Sequence, residues 1–160
     1  MKELASLLQD LGCQNVKTYV QSGNAVFLSK EEDAKRFSKR IGAEIKKCHG
    51  FEPGVLLLKP EDIERAIRKN PFPRAEKDPR ALHLGFLSSV PKKPDLTKLK
   101  SLKKESERFL LISNVFYLHA PEGVGKSKLA ANTERLLGVP MTDRNWRTVC
   151  TIAEMAKDLR

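Results

Sequence analysis

Helix and strand signals recur in one order on either side of a proline-rich stretch, which predicts an α+β fold using one small unit twice. Three observations lead there. The first half reads helix, strand, strand, helix, strand, and the second reads strand, helix, strand, strand, helix, short strand. The two hairpins share a local pattern, Ser22-Gly-Asn-Ala-Val-Phe-Leu against Ser113-Asn-Val-Phe-Tyr-Leu. Between the halves, Asn70-Pro-Phe-Pro and the residues up to Pro79 have the composition that ends helices and interrupts ladders. The arrangement implied is a duplication of ferredoxin-like (split βαβ) units, with residues 1–70 as the N-terminal half, 71–80 as linker and 81–160 as the C-terminal half. If the halves are equivalent, the strand at 81–87 has no counterpart ahead of Met1. The first strand of the N-terminal unit is therefore expected to be missing, with a sheet edge left open.

Each element has its own signal. Leu4, Leu7, Leu8 and Leu11 lie on one helical face, and Gly12 ends that helix. Residues 16–20 and 25–28 read as strands joined through Gln21-Ser22-Gly23-Asn24, where Gly and Asn tolerate positive φ. Ser29 and Glu32 have capping-box spacing ahead of a helix carrying Ala34, Phe37, Ile41, Ile45 and Cys48 up to Gly50. Residues 55–58 read as a buried strand, and Pro60 stands at the first position of a short helix that Pro71 prevents from continuing. In the second half, 81–87 is a strand, 95–104 a helix, and 109–112 with 115–118 a hairpin around Ser113-Asn114. Residues 126–137 form a helix closed by Gly138, 139–141 at most a short strand. Asn145 caps a last helix with Trp146, Val149, Cys150, Ala153 and Ala156 on one face.

Composition narrows the partners. The 160 residues carry a formal net charge of +10, with 40% hydrophobic and 31% charged residues, which places the chain among globular rather than disordered proteins. Residues 92–104 hold six lysines against one aspartate. Such an excess favours nucleic acid or another polyanion, although a single lysine run is more often a solvated helix face. No apolar run is long enough to span a bilayer, and Glu3 and Asp10 interrupt any signal-peptide core, so a cytoplasmic location without membrane association is expected. Cys13, Cys48 and Cys150 are far apart with no C-x-x-C pair, which fits reduced thiols. Neither a metal nor a cofactor is expected.

The candidate site is the passage from Val115 through the Gly-bearing turn to Lys128. A strand feeding a glycine loop into a helix start exposes backbone N–H groups to an anion. Gly123, Gly125, Lys126, Ser127, Lys128 and Arg144 are its candidate anion-binding residues. In the competing view the glycines serve turn geometry, Ser127 caps a helix and the lysines are solvated. Ala120 to Ser127 also fits a relaxed phosphate-loop pattern, but Pro121 removes one N–H and no apolar strand ending in an acid follows for magnesium. Gln21, Ser22, Asn24 and His119 are candidate ligand contacts. A hairpin turn bonded to itself is the simpler account of the first three, and a strand-end histidine the simpler account of the fourth. No catalytic residue is assigned.

Four stretches resemble a bacterial family catalogued as domain of unknown function 1697. They are Thr18-Tyr-Val-Gln-Ser-Gly-Asn-Ala-Val-Phe27, Asn70-Pro-Phe-Pro73, Tyr117-Leu-His-Ala-Pro-Glu-Gly-Val-Gly-Lys-Ser-Lys-Leu129 and Arg144-Asn-Trp-Arg-Thr-Val149. The resemblance implies the duplicated α+β architecture and no assigned activity. Members usually begin with a further strand and a loop of Arg-Gly-Ile-Asn-Val-Gly-Gly type, absent here, which suggests a truncated or misassigned start. The expected function is binding of a phosphate-bearing small molecule or nucleic acid at residues 123–128. Two alternatives stand beside it: a small-molecule enzyme using the same pocket, or a protein-interaction module recruiting a strand to the open edge, its protein partner unknown.

Overall fold

Residues 1–20 and 23–159 are described by the computed structural model, and among them six α-helices and six strands form two antiparallel sheets. The chain divides into two compact units, one of residues up to Glu64 together with the chain from Cys150 onward, the other Arg65–Val149. Both junctions fall inside helices, α3 (Pro60–Arg68) and α6 (Trp146–Lys157), rather than in the proline-rich stretch, which contains a short 3-10 turn at Pro73–Lys77.

In the first unit, α1 (Lys2–Asp10) and α2 (Ala34–His49) pack on a hairpin of β1 (Gln14–Tyr19) and β2 (Asn24–Leu28). Leu7, Leu8, Cys13, Phe37 and Ile41 are buried together, and Phe27 meets Phe37 edge-on at 6.2 Å. A two-stranded hairpin is marginal alone, and this apolar contact supplies its stability. Two expectations are corrected. Asp33, not Ser29, caps α2: its Oδ1 accepts from the Arg36 amide at 3.0 Å, while Ser29 accepts from Glu31 in a local turn. Residues 55–58 join no sheet among the described residues; Val55 and Leu57 instead pack on the core. With two strands in this unit, the expected duplication is not seen.

The second unit runs β3 (Leu82–Leu87), α4 (Leu96–Leu102), β4 (Arg108–Ile112), β5 (Val115–His119), α5 (Lys128–Leu137), β6 (Met141–Asn145), with sheet order β4-β5-β3-β6. β3 and β5 are central, which explains sequences apolar on both faces. On one face Leu87, Phe116 and Leu118 meet Leu99 of α4 and Leu129 and Leu137 of α5. On the other lie Leu84 and Tyr117, whose hydroxyl donates to the Ala66 carbonyl of α3 at 2.7 Å. Gly85 sits beneath Met141, where an added Cβ would lie 2.4 Å from the thioether sulfur. β6 corrects the expectation of at most a short strand at 139–141, since the strand runs on through Arg144 to the cap of the last helix. Met141–Asn145 is polar because it is an edge strand, and pairing with β3 fixes its conformation. Asn145 does cap α6, accepting from the Thr148 amide at 2.9 Å, and Trp146 is buried.

Candidate anion-binding site

β5 delivers the chain to the candidate loop. Past His119, the Ala120 amide donates to Ala81 at 2.9 Å, extending the sheet by one bond before Pro121 turns the chain. The Gly123 amide closes that turn on Ala120, and Gly123 has φ +96°, a region L side chains avoid. A 3-10 turn at Val124–Lys126 follows, with the Lys126 amide on Gly123 at 3.3 Å and the Ser127 amide on Val124 at 3.1 Å. Ser127 is buried; its hydroxyl accepts from the Ala130 amide at 3.0 Å and its carbonyl from Ala131. The expected helix start at Lys126 is thus corrected to Lys128. The amides of Gly123, Lys126 and Ser127 already bond to the chain's own oxygens, because the tight turn orders them inward.

What gathers outside the loop is charge. Ser106 donates to Oε2 of Glu122 at 2.6 Å. That bond first, then Lys104, and to a lesser extent Lys126, hold the exposed Glu122 carboxyl below its ordinary range. Lys104 and Lys126, 22 positions apart, therefore act on one carboxylate. Lys104 is set by a buried carboxylate that sequence reasoning missed. Glu107, 1% exposed, accepts from the Lys104 amide at 2.9 Å and donates its own amide to the Lys104 carbonyl. Lys103 straps the same turn, its ammonium donating to the carbonyls of Lys104 and Glu107. A Glu three residues past a Lys carries no distinctive signal outside a helix.

The other predicted residues are distributed. Gly125 and Lys128 are exposed beside Lys126. Arg144 is not brought to the loop: it pairs with Leu84, on the sheet face opposite α5, and donates to the Asp143 carbonyl at 2.7 Å. Burial lowers its pKa, and Asp143 works against that shift. His119 ends β5 opposite Arg108 and Leu82. Its Nε2 is shielded from solvent without a hydrogen-bond partner among the described residues, 3.7 Å from Oδ2 of Asp78. Asn24, in the first unit, is buried and donates to the Tyr19 carbonyl at 3.2 Å, while Gln21 and Ser22 lie outside the described residues.

His83 is the histidine with the strongest partners. Its Nδ1 lies 2.7 Å from Oδ2 of Asp143 and its Nε2 3.0 Å from the Arg80 carbonyl. Burial alone would disfavour the charged ring, yet the Asp143 bond and charge and the Arg80 carbonyl outweigh it and raise the pKa. With both nitrogens occupied, the ring ties β6 to the entry of β3 and has no atom left for a substrate. Among the described residues no His, Cys, Asp and Glu group could hold a metal ion, and no helix is long and apolar enough to cross a membrane.

Residues 1–117 match the family model described as protein of unknown function (DUF1697). The chain belongs to the DUF1697 family. The match stops at Tyr117, so the loop from Ala120 to Lys128 lies beyond it. The DUF1697 chain is also similar to a solved structure, the conserved bacterial protein SP0830 from Streptococcus pneumoniae, at 25% identity and a TM-score of 0.69, covering 98% of this chain and 88% of that one. The comparison with curated proteins finds no match. For this DUF1697 member neither finding assigns a ligand.

Proposed function

We propose that the protein binds a phosphate-bearing or nucleic-acid anion at the connection from β5 to α5, with Lys104 and Lys126 as principal counter-charges and Gly125 and Lys128 beside them. We also read the second unit as a ferredoxin-like one, on its order β-α-β-β-α-β and strand order. The observation carrying the binding reading is Glu122, whose carboxylate takes the hydroxyl of Ser106 and the field of both lysines. The chain's own anion at this position supports the reading, and a ligand phosphate would displace it.

Tripolyphosphate titrated by calorimetry at low salt tests this. Lys126→Ala and Lys104→Ala are expected to weaken binding, and Glu122→Gln to strengthen it by up to about fivefold, the scale of one exposed charge pair. Absence of binding, or no gain on Glu122→Gln, overturns it. A second reading, a small-molecule enzyme, draws on the unpartnered His119 Nε2 facing Asp78. A screen of phosphatase, esterase and nuclease substrates checks it, and activity equal in His119→Ala removes the histidine from the chemistry.

A further inference from the structure

The apolar face of α2 is committed to the first unit's core through Phe37 and Ile41, which fixes what the opposite face presents. At about 100° per residue, Lys35, Lys39 and Lys46 fall in one row and Arg36, Arg40 and Lys47 in a second, together about 140° wide. All six are exposed, and so is Ala43, which lies between the rows. Over roughly 18 Å of helix the sector holds no acid and no large apolar residue. Lys35, Arg36, Lys39, Arg40 and Ala43 also line a shallow hollow with Asp33, the capping residue.

Internal counter-charges cover part of this face. Arg40 lies 3.4 Å from Glu31, Lys47 3.0 Å from Glu44 and Lys46 4.0 Å from Glu52, all exposed pairs of little net worth. The side-chain cations of Lys35, Arg36 and Lys39 make no ion pair within 4.0 Å among the described residues; the Asp33 carboxylate beside them is bonded to the Arg36 backbone amide.

We infer that the exposed face of α2 is a binding surface for double-stranded DNA, contacting phosphates on both sides of the major groove without reading sequence. A groove about 12 Å wide admits a helix, and cations on both flanks of that helix face the two backbones. The face carries no Asn or Gln to read adenine, and two rows of cations set apart on its flanks suit the two phosphate backbones, so the contact proposed is electrostatic. A protein partner would call for an apolar anchor at the centre, where Ala43 offers almost none. A membrane would call for apolar residues on the same face, whereas those of α2 are buried in the core. A-form RNA has a major groove too narrow for the helix. The surface is independent of the β5-to-α5 site, which belongs to the other unit.

Fluorescence anisotropy with a labelled 20-base-pair duplex of arbitrary sequence, read between 50 and 200 mM salt, tests the inference. The full chain is expected to bind with log K falling by about 0.9 per phosphate contacted as log salt rises. Lys35→Glu, Arg36→Glu and Lys39→Glu together are expected to cost at least tenfold and flatten that slope by about 3. Acids near a helix N-terminus suit its dipole, so the fold is expected to survive, checked by circular dichroism. The neutral triple Lys35→Gln, Arg36→Gln, Lys39→Gln serves if it does not. Lys98→Glu with Lys100→Glu, two reversals on α4, is expected to leave most of the affinity. No duplex binding at 50 mM salt, equal losses from the α2 and α4 variants, loss confined to Lys126→Ala, or tighter binding of polyglutamate or A-form RNA than of DNA would each overturn it.

Discussion

His83 shows how much a single side chain's meaning depends on its neighbours. In the chain it is a strand histidine; in the fold it is a link between Asp143 and the Arg80 carbonyl. Its folded-state pKa is raised, so the protonated ring stabilises the fold fully below its unfolded value near ~6.5, and that contribution is lost as pH rises through the folded value. The melting temperature is expected to fall across that window, and Asp143→Asn to abolish the fall; an unchanged profile in the variant would dismiss the link. Tyr117 is a second residue of this kind. Burial pushes its phenol pKa up to about 12, and its hydroxyl satisfies the Ala66 carbonyl. Tyr117→Phe strands that acceptor and is expected to cost about 1–2 kcal/mol in urea unfolding, with a loss near zero showing that water replaces the bond. Neither pairing was legible beforehand, because partners 60 and 51 residues away leave no spacing to read.

Elements with dense local signals appear where the sequence places them. The apolar repeats of α1 and α2, the Asp95 cap of α4 and the hairpin of β4 and β5 each depend on residues within a few positions of one another. Boundaries shifted where a capping side chain won over a motif, as at Asp33 and Ser127. The cap at Ser127 makes a clear prediction for its helix. Ser127→Ala is expected to destabilise the protein by about 1 kcal/mol while leaving anion affinity unchanged, since the lysines lie outside the cap. A parallel loss of affinity would return the hydroxyl to the ligand. β6 was hidden for the opposite reason: nothing in Met-Thr-Asp-Arg-Asn is strand-like until β3 offers its ladder. The apolar run at 55–58 had strand composition and finds no ladder among the described residues.

At the scale of the whole molecule the governing quantity is charge. An excess of +10 repels itself, and the exposed ion pairs that oppose it contribute little each. Raising salt from about 10 mM to about 150 mM shortens the screening length from about 30 Å to about 8 Å. The melting temperature is therefore expected to rise over that range. A fall would mean that particular pairs, such as Lys47 with Glu44, outweigh the net repulsion.

Local chemistry, written in periodicity, caps and glycine positions, was enough to determine that the chain alternates helices and hairpins, that a glycine turn follows the fifth strand, and that the surface is cationic. Those properties arise from residues close together along the backbone, where sequence distance and spatial distance coincide. Only the tertiary structure decided that Lys104 joins Lys126 at Glu122, that Arg144 lies on the far face of its sheet, and that His83 meets Asp143. Strand register sets those encounters, and register depends on the packing of both sheet faces together.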